Sequence, residues 1–113
     1  TGMRHFRDER RLAAIEELVS LAQEVGMPLT HLAMAFAIAH PGVTSAIAGP
    51  RTMEQLENTL AGAEVSLSDE ILDRIDAIVP PGESIGAMDM VYRGPEVADA
   101  ALRRRPASSR SAR

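Results

Sequence analysis

A β-branched, apolar run from Val43 to Ala48 is stopped by Gly49-Pro50, and a helical pattern begins almost at once from Thr52. The run lacks the polar alternation of a half-exposed strand, so it reads as a strand covered on both faces. Such a strand needs neighbours on each side for its N–H and C=O groups. No second segment of comparable character exists in the chain, so either the fold is wholly helical and this run is no strand, or its neighbours lie in sequence beyond these residues; the second is expected. The order strand, tight turn, helix start also has a chemical meaning. The first helical N–H groups have no intrahelical partner, and the helix dipole favours an anion there. Arg51 adds a permanent cation whose fork matches phosphate oxygens. This stretch therefore reads as a phosphate grip.

Around it the pattern is helical. Thr1 to Asp8 is expected to be irregular. Leu12, Ile15, Leu18, Val19, Ala22 and Val25 then fall on one face of a helix over about Glu9 to Val25, with Gly26 as its left-handed stop. Leu29 to Ala39 is apolar almost all round and is expected to be a buried helix, ended by His40-Pro41-Gly42. A third helix is expected from Thr52 to Ala61, with Met53, Leu56 and Leu60 turned inward. Val65 to Leu67 reads as a short bridge. Ser68 should cap a fourth helix, Asp69 to Ile78, whose apolar stripe is Ile71, Leu72, Ile75 and Ile78. Pro80-Pro81-Gly82 closes this part, giving an ordered region over 1–82. Residues 83–113 are expected to be irregular, with a loose helical turn over Pro95 to Leu102 and a flexible Arg-rich tail from Arg103.

Composition narrows the chemistry. The 113 residues contain no Cys, which excludes disulfides, thiolate metal sites and a Cys nucleophile, and which fits a cytoplasmic protein. No apolar run approaches the ~20 residues that cross a bilayer, so no membrane role is expected. The net charge of −4 is uneven, because Arg103 to Arg113 carries five Arg and no acid. All twelve basic residues are Arg and none is Lys. His5, His31 and His40 are spaced too irregularly for a metal site. The acids Asp69, Glu70, Asp73 and Asp76 read as a solvated helix face rather than an acid/base pair. The chain begins Thr1-Gly2, without Met, and reads as a piece of a longer one.

Several stretches in order resemble the aldo-keto reductase family. They are Leu21-Ala-x-x-x-Gly26, then His31-Leu-Ala-Met-Ala-Phe-Ala-Ile-Ala-His-Pro-Gly-Val-Thr-Ser-Ala-Ile-Ala-Gly-Pro-Arg-Thr52, Gln55-Leu-Glu-Asn58, and Leu67-Ser-Asp-Glu-Ile-Leu-Asp-Arg-Ile-Asp76. The resemblance covers roughly Arg11 to Gly82, and the tail through Arg105 resembles that of some bacterial members. It implies an α/β fold, the carboxyl-terminal fragment of a (β/α)₈ barrel, with 43–48 as the eighth, parallel strand. It also implies reduction of small aldehydes or ketones with NADPH. A whole barrel takes ~250 residues, so these supply under half of one.

Carried over by position, the resemblance makes Ala48, Gly49 and Pro50 the turn beside the cofactor. Arg51 and Thr52 would hold the adenosine 2′-phosphate, and Gln55 would line the adenosine pocket. Where the family usually has Glu then Asn near the adenine, this chain has Asn58 and Thr59, which the resemblance keeps in the cofactor site with Asn58 taking over the amide contact. The family's catalytic Asp, Tyr, Lys and His motifs have no counterpart here, and the one Tyr, Tyr92, stands in the irregular part. The chain is therefore expected to bind cofactor without catalysing alone. Other readings are a helical interaction module without enzymatic activity and, using the Arg tail, a nucleic-acid adaptor. No aromatic accompanies those arginines, so nucleic acid is not expected as a partner. Exposed helix stripes on the isolated chain are expected to make it self-associate.

Overall fold

The computed structural model describes the backbone over residues 2–83 and 94–109, with side chains described from Glu9 onward. Among these residues the fold is helical: α1 Gly2–Glu24, α2 Leu29–Ala39, α3 Met53–Ala63 and α4 Asp69–Ile78, then two short helices, α5 Pro95–Ala98 and α6 Ala100–Arg103. No described helix is long and apolar enough to cross a membrane. Tyr92, Met88, Met90 and the side chain of His5 lie outside the described residues.

Local sequence sets most of the helix boundaries. Gly26 adopts φ +74°, a region costly for any residue with a Cβ, and the chain turns there after α1. Met27 N–H donates to Ala22 O across that turn (3.0 Å). Ser68 caps α4, its hydroxyl accepting from Ile71 N–H (3.3 Å), and Asp69 and Glu70 occupy the first turn where the dipole favours anions. His40 ends α2 in extended backbone. Its Nδ1 accepts from Gly42 N–H (2.9 Å), which stabilises the reversal. Helix α1 begins at Gly2 rather than near Glu9. Nothing between Met3 and Asp8 opposes it, since no Pro interrupts the run and Arg and Met are good helix formers.

The core joins α1, α2 and α4: Leu21 and Ala22 from α1, Leu32, Ala35 and Ala39 from α2, Leu72 and Ile75 from α4, with Leu67 of the bridge. The stripe read for α4 is the one that packs. That of α3 is not: Met53 and Leu60 are exposed, and the helix instead buries Gly62. Helix α2 is likewise buried on one face only, with Phe36 exposed. Leu12 and Ile15 of α1 also face outward.

The expected strand is absent. Residues 43–48 form neither strand nor helix, and Ile47 is fully exposed. A strand exists through hydrogen bonds to its neighbours, and no described segment offers a ladder. Among the described residues, only the run's first residue is fixed by backbone on its amide side, Val43 N–H donating to His40 O (3.0 Å).

The tail also departs from expectation. Arg103 to Arg105 are partly buried and bonded to α2 and α4, followed by a 3₁₀ turn over Ala107–Ser109. Acids on α4 supply the reason. Asp76 was read as solvated, yet its side chain is 18% exposed and accepts from Arg103 (2.8 Å) and Arg104 (2.9 Å).

Candidate functional site

The start of α3 is presented to solvent by two local bond sets. Thr52 is the cap, and its Oγ1 accepts from Gln55 N–H (3.2 Å). Gln55 reaches back, its Oε1 accepting from Arg51 N–H (2.8 Å). This is a capping box displaced by one residue, because the Gln reaches past the cap to the residue before it. It fixes the backbone of Arg51 and Thr52 relative to the helix axis. Met53 and Glu54 follow, whose N–H groups have no intrahelical acceptor by the geometry of a helix start.

Ala48, Gly49, Pro50, Arg51, Thr52 and Gln55 are all exposed, and they are brought together by this turn. Arg51 has no carboxylate partner among the described residues. A Cβ built on Gly49 would meet nothing within 4 Å, so the outer side of the turn is open. The resulting donor set is a guanidinium, a hydroxyl, an amide and unpaired backbone N–H groups. Its chemistry suits a phosphate.

Asn58 and Thr59 lie further along α3, and Thr59 lines one cavity with Ala46 and Ala48. Asn58 faces α2, its amide donating to Thr30 Oγ1 (2.9 Å) while its Oδ1 accepts from His31 Nε2–H (2.7 Å). An amide oxygen only accepts, so His31 carries its hydrogen on Nε2. Thr59 Oγ1 donates to Gln55 O one turn back (2.8 Å). Gly62 completes the α2–α3 contact, where a Cβ would lie 3.1 Å from His31 Cα and 3.2 Å from Met34 Cβ. Asn58 and Gly62 thus fix how α3 lies against α2.

Between α2 and α3 lies a cavity of about 460 Å³ along which Thr44, Ala46 and Ala48 run towards the turn. Arg105 and Ser109 form part of its wall. Arg105 donates from Nε to Ile38 O (2.9 Å), from its backbone N–H to Ala39 O (2.8 Å) and from Nη2 to Val43 O. Arg104 donates to Asp73 (2.7 Å), Asp76 (2.9 Å) and Asp69 (3.3 Å). Burial penalises its charge, but hydrogen bonds and the fields of Asp73 and Asp76 outweigh that and hold its pKa above the usual arginine value. These arginines were missed in the sequence; their only signal was three adjacent cations downstream of an acid-striped helix. No described cluster of His, Asp and Glu is suited to a metal ion.

Comparison with known proteins agrees with the resemblance. Residues 2–80 match the aldo/keto reductase family. The uncharacterized oxidoreductase YrpG of Bacillus subtilis (strain 168) is 39% identical over 75 residues, which are 66% of this chain and 23% of that protein. Protein tas of Escherichia coli (strain K12) is 29% identical over 73 residues, 65% of this chain and 21% of that one. The chain thus spans under a quarter of the length of these relatives. No solved structure matches.

Proposed function

The chain belongs to the aldo/keto reductase family, and on that footing we propose that it is the carboxyl-terminal, cofactor-binding portion of an NADP-dependent reductase of small aldehydes and ketones, without catalysis of its own. The observation that carries this reading is the exposed, capped start of α3, with Arg51 beside it, inside the matched stretch. Bound NADPH supplies the hydride. On this reading Arg51 and Thr52 hold the adenosine 2′-phosphate, helped by the N–H groups of Met53 and Glu54. Ala48, Gly49 and Pro50 pass beside the nucleotide, where the open side of Gly49 leaves room for it. The amide nitrogen of Gln55 faces the adenosine, Thr59 lies beside Ala48 along the cavity below the turn, and Asn58 steadies α3 against α2.

The rest of the reaction belongs to a fuller (β/α)₈ barrel. Protonating the developing alkoxide takes an acid, and this reading assigns none to these residues. Ile47, Met53 and Leu60 are exposed apolar side chains that such a barrel would cover. Arg103 and Arg104 are engaged by acids of α4, which counts against a nucleic-acid role.

The test is a fluorescence titration with NADPH and NADH, comparing the chain with Arg51→Ala. Loss of a charge-assisted phosphate contact should weaken NADPH by roughly tenfold or more, with NADH unchanged. Equal affinities for NADPH in both chains, or equal losses for both nucleotides, would overturn the assignment.

A further inference from the structure

Among the described residues no sheet holds the segment that leads into the nucleotide turn, so the contacts that this chain itself makes to it bear on function. Residues 43–48 carry no ladder. Their far end is set by the cap of α3. Their near end is set from 62 residues away, by Arg105 on Val43 O. The same side chain and its backbone N–H satisfy Ile38 O and Ala39 O, two of the α2 carbonyls that a helix end leaves without partners. A cation is also favoured there by the negative end of the α2 dipole. One residue thus joins the exit of α2 to the first carbonyl of the connector.

Its neighbours keep it in place. Arg103 and Arg104 are anchored on α4 through Asp76 and Asp73. His40 Nε2–H donates to Glu96 O (3.0 Å), tying the end of α2 to α5. Arg105 and Ser109 then wall the cavity along which Thr44, Ala46 and Ala48 lie.

We propose that Arg105 is a positioning residue for the nucleotide turn, held by an ionic latch of Arg103 and Arg104 on α4, so that affinity at Gly49 to Thr52 depends on contacts made far along the chain. The inference rests on the reading of that turn as the 2′-phosphate site. Lysine cannot replace Arg105, because a single ammonium on a flexible stem does not span Ile38 O and Val43 O in one fixed fork.

The experiment compares the chain with Arg105→Ala and Arg105→Lys by two readouts. The first is the backbone ¹⁵N order parameter at Ala46, Ala48 and Gly49. The second is affinity for 2′,5′-ADP, a probe carrying the adenosine 2′-phosphate. Arg105→Ala should lower the order parameters from the rigid range near ~0.85 towards ~0.6. It should also weaken 2′,5′-ADP roughly tenfold, the scale of a lost charge-assisted bond. Arg105→Lys should fall between. Unchanged order parameters in an Arg105→Ala chain that keeps its helical circular dichroism overturn the positioning role, as do falling order parameters with unchanged affinity. Falling order parameters in a chain whose parent binds no 2′,5′-ADP keep the positioning of the connector and overturn the nucleotide reading instead. Should Arg105→Ala lose its helices, Arg105→Lys decides on the same two readouts.

Discussion

Asp73 and Asp76 lie on one helix and both bind Arg104, yet their removal should have very different costs. Asp76 is 18% exposed and its Oδ2 accepts from both Arg103 and Arg104, whose side chains are 17% and 11% exposed. The Nε atoms of both arginines are already buried without a hydrogen-bond partner among the described residues. Replacing Asp76 with Ala removes the carboxylate that the two cations share. Breaking a buried pair costs about 3–5 kcal/mol, and the remaining access to water places this one near the low end, about 3 kcal/mol. Asp73 is 71% exposed, so Asp73→Ala should cost under about 1 kcal/mol. Urea unfolding followed by far-UV circular dichroism measures both. In ~1 M salt, where the Debye length falls to ~3 Å, the Asp73 effect should vanish while most of the Asp76 effect survives. The m-value should stay constant across the set. Equal costs for the two variants, or an Asp76→Ala loss below about 1 kcal/mol, would refute the reasoning.

Three further substitutions probe the helices. Ser68→Ala removes the α4 cap and Thr52→Ala that of α3; each should cost about 1 kcal/mol in urea unfolding. Thr52→Ala should in addition weaken NADPH binding, which Ser68→Ala should leave alone. Gly62→Ala gains about 1 kcal/mol of helix propensity. The new Cβ would press on the backbone of His31 at 3.1 Å, and overpacking of about 1–3 kcal/mol should leave a net loss. A stabilised Gly62→Ala chain would contradict the close α2–α3 approach.

What could be read in the sequence was what short-range chemistry decides. Gly26, His40-Pro41-Gly42, Thr52 and Ser68 mark helix ends because the bonds they make close within a few residues. The start of α3 was legible for the same reason, since the bonds among Arg51, Thr52 and Gln55 that cap it are local. The strand over 43–48 was not, because β-branched residues fit a pleated, half-buried surface only where a neighbouring strand exists. The inward face of α3 was misread because hydrophobicity pointed to Met53 and Leu60, whereas closeness of approach selected Gly62. The latch of Arg103 to Arg105 was invisible because its partners stand 27 to 67 residues away. Local periodicity carries no record of such pairings. Asn58 shows the same limit: its place in the resemblance suggested adenine, and its bonds run to Thr30 and His31.

The proposed role of this chain depends on an anion being held at the amino terminus of α3. The direct measurement is an amide chemical-shift titration of the chain with NADP⁺. The largest shifts should fall at Gly49, Arg51, Thr52, Met53 and Glu54, saturating together. Shifts that gather at Arg103 to Arg105, or none at all near Arg51, would contradict that role.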